Sequence, residues 1–118
     1  MRFLSIYTHA PMGAPPSPEH IAAMGKLIEE GMKAGWLIAT EGVAAGATGA
    51  RVRRSGGEIT VTDGPFTEAK EVIGGYALLE AKSRQAAIDL SRQFLKVAGD
   101  GSCELIPLFE HPASGDRR

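Results

Sequence analysis

Apolar and polar residues alternate at the start of the chain, as they do in a half-buried β-strand. Over residues 2–8, Phe3 and Tyr7 fall on one face, and Leu4 and Ile6 fall on the other. The pattern lacks the long apolar stretch and cleavage site of a signal peptide. Residues 2–8 therefore predict a first strand.

A helical period begins after a loop at residues 10–17, which contains three prolines and a glycine. Ser17 is a favourable N-cap, and Pro18 suits the first helical position because its missing N–H needs no partner there. Gly35 is positioned to end the helix in a left-handed conformation. Between them, apolar residues recur at the spacing of one helix face: Ile21, Met24, Ile28 and Met32.

The rest of the chain predicts five further strands and a second helix. Ser83 is placed to cap that helix, and Gly99 is placed to break it. Inside one of the strands, Gly74 and Gly75 predict a bulge or a close backbone approach. In chain order the elements are a strand at 36–40, a hairpin at 52–61, a strand at 72–81, the helix and a strand at 103–109.

Once the hairpin is set aside, the order of elements is β-α-β-β-α-β, which predicts an α+β, ferredoxin-like sandwich. Two helices can cover only one face of its sheet, yet both faces of the strand at 72–81 are apolar. The two faces hold Ile73, Ala77 and Leu79 on one side and Val72, Tyr76 and Leu78 on the other. An uncovered apolar face is typical of an interaction surface. We therefore predict a homodimer in which sheet packs on sheet, of the dimeric α+β barrel type.

Composition narrows the class of protein. The 118 residues are 43% hydrophobic and 23% charged, which is ordinary for one globular domain. We place that domain at residues 1–111 and a flexible tail at 112–118. Thirteen basic and fourteen acidic residues give a net charge of −1, which predicts no surface for nucleic acid or an anionic membrane. No apolar run is long enough for a transmembrane helix, and the lone Cys103 fits a core position in a reducing cytoplasm.

The predicted topology brings polar side chains from several elements to one end of the sheet. The first strand ends where the first helix begins, the second strand runs parallel to the first, and the strand at 72–81 begins at the same rim. The residues that gather there are Tyr7, His9, His20, Glu41, Asp63, Lys70 and Glu71. A carboxylate and an imidazole are suited to proton transfer, and a lysine can stabilise a developing anion. We predict a pocket at this rim.

Within this rim we predict that Asp63 is the catalytic base and that His20 or Lys70 assists it. The predicted ligand contacts are Tyr7, His9, Glu41 and Glu71. Structural alternatives stay open: Asp63 can bond the backbone of a turn, the histidines can be solvated, and Lys70 can belong to a polar connector. The chain has no metal-ligand spacing, P-loop, dinucleotide fingerprint or nucleophile elbow, so we predict no metal and no cofactor.

One segment is more specific than any of these patterns. Residues 61–76, VTDGPFTEAKEVIGGY, resemble the DGPF branch of the YCII-related family. Two flanking features support the resemblance: the strand at 2–7, and the motif AGWL at 34–37 that leads into EGV at 41–43. The resemblance extends over residues 1–110.

The resemblance implies a ferredoxin-like α+β fold that dimerises, and it implies no established reaction. In the wider YCII group a histidine and an aspartate are the proposed active pair. The aspartate corresponds to Asp63, whereas the histidine's position on the first helix is occupied by Met24, one turn after His20. The pair Lys70-Glu71 is typical of the DGPF branch.

Two functions remain open from the sequence. The first is a small dimeric enzyme that abstracts a proton from a small polar metabolite, or eliminates a group from it, at Asp63. The alternative is a non-catalytic ligand-binding or accessory module that acts with a regulatory partner, because the resemblance includes relatives linked to sigma factors. An enzyme requires Asp63 to be partly desolvated and to face a concave site.

Overall fold

The computed structural model describes residues 1–11, 14–44, 49–63 and 72–110. In these ranges two helices form one layer on a face of an antiparallel sheet. Neither helix combines the length and the hydrophobicity that crossing a membrane requires. The elements are β1 (Arg2–His9), α1 (Pro18–Ala34), β2 (Leu37–Gly42), β3 (Ala50–Ser55), β4 (Glu58–Asp63), β5 (Val72–Glu80), α2 (Arg84–Ala98) and β6 (Ser102–Pro107).

The main sheet has four strands in the order β2-β5-β1-β6, and each neighbouring pair is antiparallel. Strands β3 and β4 form a separate two-stranded sheet. With that pair set aside, the order β1-α1-β2-β5-α2-β6 is that of a split β-α-β sandwich. The predicted α+β class is confirmed, and the topology is consistent with a ferredoxin-like fold.

Caps that are visible in the sequence determine where both helices begin. The Ser17 hydroxyl accepts a hydrogen bond from the His20 N–H at 3.1 Å, and the Ser83 hydroxyl accepts one from the Ala86 N–H at 3.1 Å. Each bond satisfies an N–H group that the first turn of a helix leaves without a backbone partner. At the other end of α1, Gly35 adopts a left-handed φ of 89°. Both predicted N-caps and the predicted glycine cap are confirmed.

The buried core lies toward the end of the sheet where β1 begins. Phe3, Leu37 and Leu79 are nearly inaccessible to solvent and pack with Ala81 and Ala87. The strand register places Phe3 opposite Leu79 and Leu79 opposite Leu37, so these side chains form one row beneath the helices. Large side chains therefore fill one end of the space between the two layers.

A register shift in β5 changes which of its residues share a face. Thr8 pairs with Ile73, two residues before the partner of Tyr7, so Gly74 is an extra residue in the ladder. The predicted bulge is confirmed. Because the bulge reverses the alternation, the prediction that Ile73 shares the face of Leu79 is wrong, and Ile73 lies on the face of Thr8 instead.

The opposite face of the main sheet, which we call the helix-free face, is apolar at its centre, as predicted. Its apolar side chains are Leu4, Ile6, Tyr76, Leu78 and Ile106. The register also places Glu104 beside Ile6, and Glu41 beside Tyr76. One row across this face therefore has a carboxylate at each end.

Candidate functional site

A cavity of about 650 Å³ lies between the main sheet and the two helices. Its floor includes the small residues Ser5, Gly75 and Ala77, which leave unfilled the space that larger side chains would occupy. Its volume is within the range of about 300 to 1,000 Å³ that is usual for small-molecule sites. The helical walls are apolar and contain Met24, Leu27 and Ile28 from α1 and Leu90 and Phe94 from α2.

The mouth of the cavity lies where β1 and β2 end and α1 begins. Four of the predicted site residues, Tyr7, His9, His20 and Glu41, line this one cavity. They come together because β1 and β2 are parallel to each other in the sheet and because the Ser17 cap starts α1 at the same rim. The four residues therefore share one rim, although the side chain of Glu41 lies on the helix-free face beside Tyr76.

Asp63 lies apart from these residues. It is exposed at the end of β4, pairs with Ala50 across the two-stranded sheet and does not line the cavity. The reason is that β3 and β4 form their own sheet, so the register of the main sheet does not position β4. Lys70 and Glu71 lie outside the described residues, as does the tail at 112–118. The roles of Asp63, Lys70 and Glu71 stay predictions.

His9 has the geometry of a positioned base. Its Nδ1 lies 2.7 Å from the carbonyl oxygen of Ala10, and a carbonyl oxygen only accepts, so Nδ1 carries the proton. In the neutral ring, Nε2 is then a hydrogen-bond acceptor. The ring packs over Gly74, where a Cβ atom would lie 2.6 Å from Cδ2 and 2.7 Å from Nε2. The glycine of the bulge thus provides the space for the imidazole.

Tyr7 forms a wall of the cavity and carries no charge. Its hydroxyl donates a hydrogen bond to the Asp100 carbonyl oxygen at 3.1 Å. Its ring packs edge-on against Phe94 with centroids 5.1 Å apart, and its centroid is 5.3 Å from that of His9. Burial raises the pKa of the Tyr7 hydroxyl, and the nearby Cys103 and Asp100 add to the shift. Tyr7 therefore remains a neutral donor at physiological pH.

His20 and Met24 face the same cavity from successive turns of α1. The Ser17 cap holds the backbone of His20 in the first turn. Within the described ranges, the imidazole of His20 makes no hydrogen bond, so both of its nitrogens are available to a ligand. A histidine at position 20 or at position 24 would reach the cavity. In this chain His20 lies at the mouth, and the thioether of Met24 forms part of the wall.

Cys103 faces the cavity from β6 and is half-buried. Burial raises the pKa of its thiol, and a hydrogen bond with Ser5 opposes part of that shift. Because the thiolate is the nucleophilic form, Cys103 is a weak nucleophile at neutral pH. It is also the only cysteine in the chain, which makes its thiol a unique chemical probe of the cavity.

The polar chemistry of the site is concentrated at the mouth. Two imidazoles line an otherwise largely apolar space, and the carboxylate of Glu41 lies on the helix-free face, because Glu41 pairs with Tyr76. Among residues 1–11, 14–44, 49–63 and 72–110, no three His, Cys, Asp or Glu side chains are grouped to hold a metal ion. The arrangement can therefore accept and donate protons and hydrogen bonds at one end of an apolar ligand.

Sequence reasoning did not identify the cavity walls. Leu90 and Phe94 have helical spacing, and that spacing is the same whether a helix packs on a core or borders a cavity. Ser91 and Thr40 also line the cavity, but their hydroxyls donate to backbone carbonyl oxygens of Ala87 and Tyr76 at 3.0 and 2.8 Å. The sequence feature that could have indicated a cavity is the set of small residues in β5, Gly74, Gly75 and Ala77, which line it.

Comparison with known proteins agrees with the resemblance found in the sequence. The chain matches the profile of the YCII-related domain over residues 1–110. An uncharacterised protein of Rhizobium meliloti (strain 1021) is 40% identical to it over 60 residues, which are 50% of this chain and 48% of that relative. The chain thus spans about half the length of the curated relative that it matches. Because the profile covers nearly the whole chain, the protein belongs to the YCII-related family.

Proposed function

We propose that the protein binds a small molecule with an apolar body in the cavity and performs acid–base chemistry on its polar end at the mouth. One observation carries the proposal: an apolar cavity of about 650 Å³ opens beside an imidazole whose tautomer is held by the Ala10 carbonyl. A fixed tautomer is useful to a general base, because the nitrogen that accepts the proton is determined before the ligand binds.

The cavity walls favour a less polar ligand than the small polar metabolite expected from the sequence. Leu27, Ile28 and Phe94 offer no hydrogen bonds, so a polar group beside them would lose its bonds to water without replacement. Polar partners are available at the mouth, from His9 and His20. A ligand that fits both regions has an aliphatic or aromatic body and one carbonyl, carboxyl or hydroxyl end.

The proposed proton transfer begins at His9. Neutral Nε2 takes a proton from a carbon or hydroxyl of the ligand, and the electron pair of that bond moves toward the polar end. His20, when protonated, donates a proton to that end or to a leaving group. In this step His9 gains a proton and His20 loses one. The reaction is then either a proton abstraction followed by return of a proton to the ligand, or an elimination. Both belong to the reaction class predicted from the sequence.

Asp63 and Lys70 keep a proposed supporting role in this chemistry. Asp63 corresponds to the aspartate of the active pair in the wider YCII group, and Lys70 belongs to the pair typical of the DGPF branch. Membership of that branch, which depends on residues 61–76, is part of the proposal. Glu71 and Tyr7 are proposed to contact the ligand through their side chains, and Glu41 is proposed to contact it through its backbone, which lies beside Gly75 in the floor of the cavity.

A ligand screen tests the proposed function. We expect aliphatic and aromatic carboxylic acids, amides or alcohols that fit the cavity to raise the melting temperature of the wild-type protein. His9→Gln is expected to remove turnover of such a ligand, by about 100-fold or more, because the general base is lost. The measurements are a thermal-shift screen, followed by NMR observation of each ligand incubated with the wild type and the variant. Asp63→Asn, run in parallel, reports whether Asp63 contributes.

The outcomes separate the two candidate functions. A ligand that binds, that the wild type converts and that His9→Gln does not convert supports an enzyme. A ligand that binds and is never converted supports the non-catalytic binding module and overturns the proposed chemistry. If no ligand raises the melting temperature, the small-molecule proposal fails, and an accessory role beside a regulatory partner becomes the better account.

We also propose that the protein is a homodimer. The helix-free face supports this, because Ile6, Tyr76 and Ile106 remain partly exposed at its centre and a second sheet would remove them from water. A twofold dimer uses the same patch on both copies and so covers both apolar faces at once. The dimeric α+β barrel predicted from the sequence is one such arrangement.

A further inference from the structure

One buried polar residue lies in the floor of the cavity. Ser5 exposes 7% of its surface, and among the described residues it is the only polar or charged one that is buried. Phe3 packs with Ala87 of α2, and Tyr7 packs against Phe94 of the same helix. Because side chains alternate along a strand, Ser5 faces the helices as Phe3 and Tyr7 do. Its hydroxyl therefore lies between the packed core and the mouth, at the inner end of the cavity.

The Ser5 hydroxyl has no strong hydrogen-bond partner. Within the described ranges its one partner is the Cys103 thiol, and sulfur is a weak acceptor. Thr40 and Ser91, which also line the cavity, differ in this respect because each donates its hydroxyl hydrogen to a backbone carbonyl oxygen. Ser5 therefore offers a hydrogen that the protein itself uses only weakly.

A buried hydroxyl limits which ligand groups can lie against it. Water that reaches Ser5 can accept its hydrogen, but a ligand that fills the inner end of the cavity displaces that water. An apolar group leaves the hydroxyl without a partner and weakens binding, whereas an oxygen acceptor replaces the lost hydrogen bond. The inner end of the cavity is therefore suited to a ligand oxygen.

The surroundings of Ser5 favour a neutral carbonyl oxygen over other oxygens. The described residues that line the cavity include no lysine or arginine, so a carboxylate at the inner end would be buried without a counter-charge. A ligand hydroxyl would bring a hydrogen that needs a further acceptor, whereas a carbonyl oxygen only accepts. Ser5 supplies the hydrogen that a carbonyl requires.

The spacing along β1 determines how far this carbonyl lies from the polar end of the ligand. Ser5 and His9 are four residues apart on one face of β1, which corresponds to roughly 13 Å of strand. Each hydrogen bond spans about 3 Å, so a ligand held between them has its two polar groups roughly 7 to 13 Å apart. A keto group on the seventh carbon of octanoic acid lies within this range.

We propose that the Ser5 hydroxyl binds a neutral carbonyl oxygen on the buried part of the ligand. The ligand class is then an apolar oxo compound, whose carbonyl is separate from the polar end that His9 and His20 contact. This inference rests on the proposed function and adds to it a second polar group and its position. Ser5 holds the oxygen and takes no part in the proton transfer, which occurs at the mouth.

Two probes that differ by one carbonyl test this site: octanoic acid and its derivative with a keto group on the seventh carbon. We expect the wild type to bind the keto acid at least about fivefold more tightly, because only the keto acid gives Ser5 an acceptor. In Ser5→Ala this preference is expected to disappear, while the affinity for octanoic acid is kept or increased. NMR titration measures both dissociation constants.

Ser91→Ala is the matched control. It removes a hydroxyl from the same cavity by the same substitution, but that hydroxyl already donates to the Ala87 carbonyl oxygen. The preference for the keto acid is therefore expected to stay within about twofold of the wild-type value.

The melting temperature provides a readout that needs no ligand. Ser5→Ala is expected to melt within about 2 °C of the wild type, because its hydroxyl has no strong partner to lose. A melting temperature lower by about 5 °C or more would mean that the hydroxyl serves the fold, and it would overturn the inference.

The binding outcomes distinguish this inference from the proposed function. If the wild type binds both acids equally, or if Ser5→Ala keeps the preference, the inference fails and the proposed function stands. The same holds if neither acid binds while other ligands from the screen do. If no ligand of any kind binds, the proposed function fails and the inference fails with it.

Discussion

Replacing Gly101 with alanine is expected to lower the free energy of unfolding by about 3 kcal/mol. Gly101 has a φ of 152°, which residues with a side chain rarely adopt. A Cβ atom there would lie 2.5 Å from the Thr8 carbonyl oxygen and 2.6 Å from Cε1 of Tyr7. Because one neighbour is backbone, a rotamer change cannot relieve the contact, and β1 must separate from the segment between α2 and β6. Urea unfolding followed by circular dichroism measures the loss.

Gly25→Ala is the matched control for this substitution. Gly25 lies inside α1, and a Cβ atom there would meet nothing within 4 Å. Alanine is the better helix former, so the free energy of unfolding is expected to rise by about 0.5 to 1 kcal/mol. If Gly101→Ala were as stable as the wild type, the close approach of this segment to Tyr7 would be wrong, and the cavity wall that Tyr7 forms would be misplaced.

Replacing Gly74 with alanine is expected to lower turnover of a ligand by about 100-fold, because a displacement of about 1 Å in a catalytic group is enough for such a loss. The new methyl group would occupy the space of the His9 ring, 2.6 Å from its Cδ2. The imidazole must move, and its hydrogen bond to the Ala10 carbonyl is then lost. Nitrogen NMR of the His9 imidazole measures this change without any ligand. The wild type should show the tautomer protonated at Nδ1, and the variant should show a mixture of the two neutral tautomers.

Gly42→Ala separates the loss of His9 geometry from a general effect at the mouth. Gly42 also lines the cavity, but a Cβ atom there would have its nearest contact at 3.8 Å, with the Gly74 carbonyl oxygen. We expect this variant to keep the His9 tautomer and to turn over ligand within about threefold of the wild type, since an ordinary van der Waals contact displaces nothing. Equal losses in both variants would mean that the position of His9 is unimportant.

The elements of this fold could be predicted from local signals. Ser17 and Ser83 cap their helices through hydrogen bonds within a few residues, and Gly35 ends a helix because it tolerates a left-handed φ. Such signals depend on neighbouring residues alone. The rim that joins Tyr7, His9, His20 and Glu41 could also be predicted, because it follows from strand direction once the order of elements is known.

The cavity could not be predicted in the same way. It exists because Ser5, Gly75 and Ala77 have small side chains that leave space between the sheet and the helices. The sequence pattern of a helix face does not show the distance between that helix and the sheet. The bulge at Gly74 was expected, but its consequence for Ile73 was not, because a single extra residue reverses the alternation on which the assignment depended.

Asp63 shows where topological reasoning reaches its limit. Continuity of the chain alone led us to expect the end of β4 at the rim of the main sheet. Hydrogen bonding between strands is what fixes such a position, and β4 is bonded to β3 alone among the described strands. The main sheet therefore determines where Tyr7 and His9 lie, whereas Asp63 lies on the two-stranded sheet and its role stays a prediction.

The central claim is that the cavity above Cys103 is the ligand site, and the alkylation rate of that thiol tests it most directly. With a ligand from the screen at a concentration well above its dissociation constant, we expect iodoacetamide to modify Cys103 at least about tenfold more slowly, because the bound molecule occupies the space beside the thiol. The reagent's rate with free glutathione under the same conditions is the control. A ligand that raises the melting temperature yet leaves the Cys103 rate unchanged would contradict the account, because it would bind elsewhere.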